Sequence, residues 1–471
     1  MEIIHVSAEC YPMAKVGGLG DVVGALPKYQ KKLGHTTKVV MPMHHTQYLE
    51  THHWEVVCKS SFPFGDTYLD YTIIKEINPS QTFDLYCIDI FNLLDRPNVY
   101  GYKDDTERFL AFQLAFVHWI RQIDMLPDIV HVHDHHAGLI PFFMQHFLEY
   151  KRLQSIQTVL TIHNAEYQGC MNVNMVKYFF SWDTWKMGLL EWDFQINSLA
   201  CAIKCVNKVT TVSNSYLQEL FYNANGLEKL FQQEKNKCSG IINGIDYDTW
   251  NPQTDRFIKQ FYHSRNFKKG KAINKDSICK QFSLDSTLPL FIFIGRLVKE
   301  KAADLLHILI PLAFETYGYC LNFLVLGNGD IEIENNLKNI LPNHFGYYHS
   351  SIEYNEALSH QLYAGADFLF MPSRVEPCGL NQMYALRYGT IPIVRSIGGL
   401  KDTVIDFVEP NGFGICFNDA NLKDMIDSIG RSLELYKNIN TVNQIRKNMM
   451  TINYSWQKSA KEYIDLYDSI L

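Results

Sequence analysis

The chain has no apolar run near the ~18 residues that a membrane-crossing helix requires. Its start lacks a cationic segment ahead of a longer apolar one; Ile3-Ile4-His5-Val6 enters a strand-like pattern at once, so no secretory signal is expected. Basic residues are not in excess. Against 50 Asp and Glu, 43 Lys and Arg leave a formal net charge of −7, which gives no footprint for nucleic acid. The 11 cysteines are odd in number and show no CxxC pair, so they read as reduced thiols of a cytoplasmic protein, neither a disulfide framework nor a zinc site. Short-period repeats and low-complexity segments are missing too. These absences leave an ordinary globular protein, which 47% hydrophobic and 20% charged residues fit. At 471 residues it is too long for one core.

What is present is an alternation of short apolar strands and helical stretches. Ile3 to Ser7, a glycine loop, a helix carrying Pro27, and Thr37 to Met41 form a βαβ unit. Pro27 is expected to bend that helix or confine it to one side. Alternating runs from 54 to 90 fit hairpins added to a sheet, and a long helix is expected near Thr106 to Gln122. Three later strands end in polar tips at His133-Asp134, His163-Asn164 and Ser213-Asn214, the edge where open α/β sheets bind ligands. The pattern breaks around Gly240 to Asp246, and Trp250 to Lys275 is polar and aperiodic. A second cycle of strands then starts at Leu290. The expected architecture is α/β, with doubly wound domains at residues 1–242 and 243–455 and a last helix over 456–471 returning to the first.

The loop Lys15-Val16-Gly17-Gly18-Leu19-Gly20-Asp21 sits between the first strand and helix. Glycines there let the backbone turn tightly or approach a ligand, and a helix start presents unpaired N–H groups that suit a phosphate. Lys15 adds a mobile cation, and Asp21 is expected to cap the helix. A structural strand-to-helix turn without a ligand fits the same residues. A dinucleotide fingerprint does not, because its third glycine would fall at Val23.

The second half carries Arg296 and Lys301 on one strand-to-helix loop, a pair able to hold a diphosphate or to stand as solvated charges. Gly327-Asn328-Gly329 and Gly398-Gly399-Leu400 lie at neighbouring strand ends, where backbone contacts to a nucleotide would fall. Glu376 follows a buried strand, either as a helix N-terminal charge or as an acceptor for ligand hydroxyls. His131, His133, His135 and His136 raise the question of a metal, but no carboxylate-and-histidine set at ligand spacing completes them. Phe179, Phe180, Trp182, Trp185 and Trp192 fall at helical spacing, which reads as core packing; exposed, the rings would offer platforms for sugars.

Taken in order, Lys15 to Asp21, His133-Asp134 with Gly138-Leu139, Thr161-Ile162-His163-Asn164, Asn243-Gly244, Gly295-Arg296-Leu297 with Lys301, and Glu376-Pro377-Cys378-Gly379-Leu380 span nearly the whole chain. This set resembles the bacterial glycogen synthase and plant starch synthase family, retaining glucosyltransferases of the GT-B type. The resemblance implies two Rossmann-like domains facing across a deep cleft. It implies transfer of glucose from ADP-glucose to the non-reducing end of an α-1,4-glucan such as glycogen or a maltooligosaccharide, without cofactor or metal. By the same match, Lys15, Gly17, Gly18 and Asp21 would approach the donor, and Arg296 and Lys301 would neutralise the leaving diphosphate. Glu376 would bind glucose hydroxyls, with the Cys378, Gly379 and Leu380 amides near the phosphates. His163 would lie against the reacting sugar with its carbonyl toward the anomeric carbon, while Asp134, His136, Asn164 and Asn243 line the cleft.

The chain departs from the family at Glu300, where glutamine is frequent, at Ala302-Ala303, where glycine is frequent after the lysine, and at Asn381, where threonine is frequent. These bear on donor affinity and base preference. Other readings are a related transferase using UDP-glucose or a small acceptor, and a non-catalytic glucan-binding homologue. On the leading reading, Lys301→Ala or Glu376→Ala cuts turnover by orders of magnitude and leaves the thermal transition nearly unchanged.

Overall fold

Short apolar runs flanked by glycine and polar residues become the buried strands of two large sheets. The computed structural model of the protein describes residues 1–79 and 81–471. It divides into two units, Met1–Asn243 with Trp456–Leu471, and Gly244–Ser455.

In the first unit the strands are β1 (Glu2–Val6), β2 (Thr36–Pro42), β3 (Trp54–Phe64), β4 (Thr67–Glu76), β5 (Asp84–Asp89), β6 (Ile129–His133), β7 (Gln157–Ile162), β8 (Cys170–Met171), β9 (Glu191–Trp192), β10 (Gln195–Asn197), β11 (Lys208–Thr211) and β12 (Cys238–Gly240). Nine form one sheet in the order β12-β11-β7-β6-β1-β2-β5-β4-β3, and β8, β10 and β9 form a small separate one. The large sheet is parallel from β12 to β5, and β4 and β3 add an antiparallel hairpin at its edge. Strand order reverses between β1 and β6, which pair directly, Val6 opposite Val132. A crevice opens at the carboxyl ends of such a pair because the two connections leave on opposite faces.

In the second unit the strands are β13 (Leu290–Ile294), β14 (Asn322–Leu326), β15 (Tyr348–Ser351), β16 (Phe368–Met371), β17 (Ile391–Arg395) and β18 (Ile415–Phe417). All pair in parallel, in the order β15-β14-β13-β16-β17-β18, so the reversal lies between β13 and β16. Every residue of β14 and β16 is buried, and each large aliphatic or aromatic side chain so placed contributes about 1.5–3 kcal/mol.

The helix Gly18–Lys32 runs on past the buried Pro27, and the long helix of the first unit spans Asp105–Ile120. The polar stretch before residue 275 conceals the start of a helix, Phe267–Gln281. Its buried face includes Lys271, Asn274 and Lys275, which hides the 3.6-residue period. Lys271 Nζ donates to the carbonyls of Tyr363, Ala364 and Tyr388 and to Thr390 Oγ1 at 2.8–3.3 Å. Lys275 and Arg446 flank the buried Asp367 at 2.7 and 2.6 Å.

The last helix, Trp456–Asp468, packs Trp456, Ala460, Tyr463 and Tyr467 against Ile3, Val22, Leu26, Ile129 and Val159 of the first unit. Among the described residues, no helix is long and apolar enough to cross a membrane.

Candidate functional site

In the first unit the glycine loop leaves β1 at the sheet's reversal, and a residue not singled out in the sequence shapes it. Glu9 is almost fully buried. Its Oε2 accepts from the amides of Val16 (2.6 Å) and Gly17 (3.1 Å), and its Oε1 from the Tyr100 hydroxyl (2.8 Å). The loop is therefore held from beneath by one carboxylate. Asp21 is not the N-cap of the helix Gly18–Lys32; that place belongs to Gly17, and the Asp21 carboxylate takes the Lys15 ammonium at 2.7 Å.

The glycines of the loop differ in what they are for. A Cβ at Gly24 would meet the Tyr11 carbonyl at 2.6 Å, and one at Gly20 would press on Glu9 and Lys15 at 3.2 Å. A Cβ at Gly17 or Gly18 would meet nothing within 4 Å, and neither residue has a positive φ. Neither packing nor backbone conformation explains these two. An open backbone beside Lys15 suits close approach by a ligand.

At the neighbouring tip of β6, Asp134 adopts φ 55° and its Oδ1 accepts from the His163 amide at 2.7 Å. Burial pushes its carboxyl up to about 7, against the lowering effect of the His163 and Asn164 amides. His163 follows β7; burial holds its imidazole down to about 3, so the ring is neutral. The Asn164 side chain accepts from Glu166 N at 3.0 Å and closes the turn after β7. His136 stacks on Tyr100 and meets the edge of Phe109, with Nδ1 buried and without a hydrogen-bond partner among the described residues. The same holds for the side-chain oxygen of Asn243, the last residue of the unit's first segment.

The histidines form a different set from that raised by the sequence. Among the described residues, His5, His131 and His133 form the cluster that could hold a metal, with ligand atoms within 4.8 Å of one another, all buried. Their nitrogens already have partners. His5 Nδ1 meets His133 Nε2 (3.0 Å) and His5 Nε2 meets Gln30 Oε1 (2.8 Å). His133 Nδ1 meets His163 Nε2 (3.1 Å). His131 is held by Tyr467 and Thr161, each at 2.6 Å.

In the second unit, Lys301 and Glu376 come together beside the reversal between β13 and β16. Lys301 Nζ lies 2.7 and 2.6 Å from the two oxygens of Glu376, and Ser373 Oγ donates to the same carboxylate at 2.9 Å. Glu376 is 6% exposed, so this pair is largely withdrawn from water. Arg296 is half exposed and pairs with Glu300 Oε2 at 3.2 Å, which answers where the unusual glutamate points. Ala302 is buried in the left-handed region, φ 53°, a conformation that favours glycine. Asn381 opens the helix Asn381–Tyr388 and donates to the Ile294 carbonyl at 2.7 Å, tying that helix to the end of β13.

Gly379 turns at φ 73° between Cys378 and Leu380. The glycines at the neighbouring strand ends are explained by packing. A Cβ at Gly398 would lie 2.1 Å from the Glu376 carbonyl, at Gly399 2.1 Å from that of Cys378, and at Gly327 1.9 Å from that of Gly295. Gly398 and Gly399 press their loop onto the one that carries Glu376 and so fix the backbone there, while Gly327 does the same for the loop after β13.

The aromatic segment divides. Phe179 is buried and meets Phe143 and Trp182 edge-on, while Trp185 is 95% exposed on a short 3-10 turn. Trp192 lies in β9, so the three tryptophans share no helix. All 11 cysteines are free thiols.

A family model described as the starch synthase catalytic domain matches residues 2–233, and one described as glycosyl transferases group 1 matches residues 274–449. A glycogen synthase of Flavobacterium johnsoniae is 49% identical over 471 residues, covering 100% of this chain and 99% of that protein. One from a Hydrogenobaculum species is 37% identical, covering 99% and 98%. Among solved structures, the catalytic domain of starch synthase IV from Arabidopsis thaliana, bound to ADP and acarbose, superposes with a TM-score of 0.89 at 31% identity, covering 99% and 98%.

Proposed function

The chain belongs to the family of glycogen and starch synthases, glucosyltransferases of the GT-B fold, and from that premise we propose that it uses ADP-glucose. The glucose passes to the non-reducing end of an α-1,4-glucan with retention of configuration. The ADP and acarbose held by the Arabidopsis starch synthase IV structure support an adenine nucleotide as leaving group and an α-glucan as acceptor.

The observation that carries the reading is the Lys301–Glu376 pair at the strand-order reversal of the second sheet. Cleaving the bond from glucose to ADP builds negative charge on the diphosphate and positive charge on the sugar ring. Cations fixed before the reaction stabilise the first more in the transition state than in the ground state. Lys301 and Arg296 take that role, so the transfer has no need of a metal or other cofactor. Glu376 accepts hydrogen bonds from glucose hydroxyls, and the Cys378, Gly379 and Leu380 amides lie near the phosphates. In the first unit, Lys15 with the open backbone of Gly17 and Gly18 approaches the donor, and Asp21 steadies Lys15.

His163 lies against the sugar, its carbonyl toward the anomeric carbon, where a fixed dipole suits positive charge. The Asp134 carboxylate, bonded to the His163 amide, sets the orientation of that peptide. Asp134, His136, Asn164 and Asn243 contribute polar groups around the sugar. Free thiols support a cytoplasmic enzyme, and a formal net charge of −7 supports one that does not engage nucleic acid.

The test is incubation of the full chain with a maltooligosaccharide and either ADP-glucose or UDP-glucose. ADP release with chain lengthening is expected from the first. Failure to elongate with either donor overturns the reading, and elongation with UDP-glucose alone overturns the donor.

A further inference from the structure

We propose that Gln30 is a positioning residue for the transfer: its side-chain amide sets the order of protons along His5, His133 and His163, so that His163 offers an unprotonated Nδ1 to a hydroxyl of the transferred sugar. This rests on the function proposed above. Gln30 lies in the last turn of the helix Gly18–Lys32, fully buried, and has no contact with the glycine loop at that helix's start among its hydrogen bonds.

Burial lowers all four imidazoles of this network: His5 to about 4, His163 to about 3, and His131 and His133 well below the ordinary value. Each imidazole is then neutral and carries one N–H and one lone pair. A string of such rings has only two consistent proton orders. Gln30 Oε1, 2.8 Å from His5 Nε2, can only accept, so His5 is protonated there and its Nδ1 accepts. His133 then donates from Nε2 across 3.0 Å, and its Nδ1 accepts from His163 Nε2 across 3.1 Å. His163 is left with its lone pair on Nδ1, an atom with no hydrogen-bond partner among the described residues.

The far end of the network decides between the two orders. Gln30 Nε2 donates to the Tyr467 hydroxyl at 3.1 Å, which passes its own proton to His131 Nδ1 at 2.6 Å. His131 Nε2–H donates to Thr161 Oγ1, Thr161 to Thr210 Oγ1 at 2.6 Å, and Thr210 to the Leu160 carbonyl at 3.3 Å. A carbonyl only accepts. Turning the Gln30 amide over would reverse every proton, take the Thr210 donor from Leu160, and leave His163 as Nδ1–H, unable to accept from a hydroxyl. One buried amide thus joins two hydrogen-bonded branches and sets the direction of both.

Gln30→Glu and Gln30→Met test this. A carboxyl at position 30 keeps an acceptor for His5 in either protonation state, whereas a thioether keeps the shape and loses the acceptor. Histidine labelled with nitrogen-15 in the full chain reports each tautomer, and His163→Gln identifies the signal. We expect His163 as Nε2–H in the parent and in Gln30→Glu, and a mixture in Gln30→Met. With a nucleotide-glucose and a maltooligosaccharide, kcat should fall roughly tenfold in Gln30→Met and much less in Gln30→Glu, with KM for the donor little changed.

A merely structural Gln30 gives the opposite ranking, because an apolar side chain is easier to bury than a carboxyl. Thermal unfolding of both variants reads that ranking separately. The proposal is overturned by Nδ1–H at His163 in the parent, by parental kcat in Gln30→Met, or by Gln30→Glu being the slower variant. A parent that elongates no glucan would instead overturn the proposed function, and the tautomer measurement would still decide the proton order.

Discussion

Lys301→Ala should destabilise the protein as well as inactivate it. The sequence alone gave no reason to expect that, and burial of Glu376 supplies one. Removing one member of a fully buried ion pair costs about 3–5 kcal/mol. The Lys301 side chain is 23% exposed, and Ser373 Oγ goes on donating to Glu376 at 2.9 Å. What remains is a buried carboxylate short of one donor, a cost of about 1–3 kcal/mol. The second unit runs from 244 to 455, which is 455 − 244 + 1 = 212 residues. In a unit of that size each kcal/mol moves Tm by about 2–4 °C, so the middle of the range lowers its transition by about 4–8 °C.

Scanning calorimetry, which follows the unfolding of each unit, makes the measurement beside initial rates of glucan elongation. The double variant Lys301→Met with Glu376→Gln removes both charges and should recover much of the lost Tm while remaining about 10²-fold or more below the parent in turnover. A Lys301→Ala protein that melts with the parent, or a double variant no more stable than the single one, would refute the burial argument. Survival of turnover in both would refute the site.

Three further outcomes follow from the geometry. Gly17→Ala and Gly18→Ala, whose Cβ atoms meet open space, should melt with the parent yet lose transfer; Gly24→Ala, whose Cβ would lie 2.6 Å from the Tyr11 carbonyl, should lose stability, all read by Tm and elongation rate. Ala302→Gly should be near neutral in chemical denaturation, because relief of a left-handed backbone worth about 1–2 kcal/mol offsets a lost methyl worth about 0.8. Ala303→Gly, equally buried and without a positive φ, should show the loss without the relief. Asp134 has its carboxyl raised to about 7. The folded state therefore keeps that proton longer than the unfolded chain, and this group's contribution to stability is present at low pH and lost as pH climbs from about 4 to about 7. Asp134→Asn removes the slope, so denaturation of variant and parent should diverge with rising pH across that window, by up to about 4 kcal/mol.

The parallel strands and their polar tips were legible because a strand covered on both faces is written as an unbroken apolar run. Its end is marked by glycine or a side chain that needs water. Lys15, Glu376 and His163 were found on that rule, with the resemblance supplying their roles. Glu9 was missed because a single glutamate after a strand looks like surface; only the folded loop shows two amides converging on it. Asp21 was misread as a cap because composition cannot tell a carboxylate that accepts from amides from one that pairs with the nearby Lys15. The helix Phe267–Gln281 was concealed by lysines on its buried face, whose ammonium groups find carbonyls and Asp367 at a distance in sequence no local pattern records. The histidine chain was beyond reach for the same reason: Gln30, His131 and Tyr467 meet across more than 300 positions.

The helix Trp456–Asp468 makes the first unit an interrupted one, begun at Met1 and closed by residues that follow the whole of Gly244–Ser455. During synthesis the second unit is fully translated while the first still lacks Trp456, Tyr463 and Tyr467. Until they arrive, the core beside Ile3, Val22 and Ile129 lies open on one face, and His131 has no Tyr467 hydroxyl to receive a proton from. The domain that begins the chain is the one completed last, and its histidine chain acquires a direction only when the final helix docks.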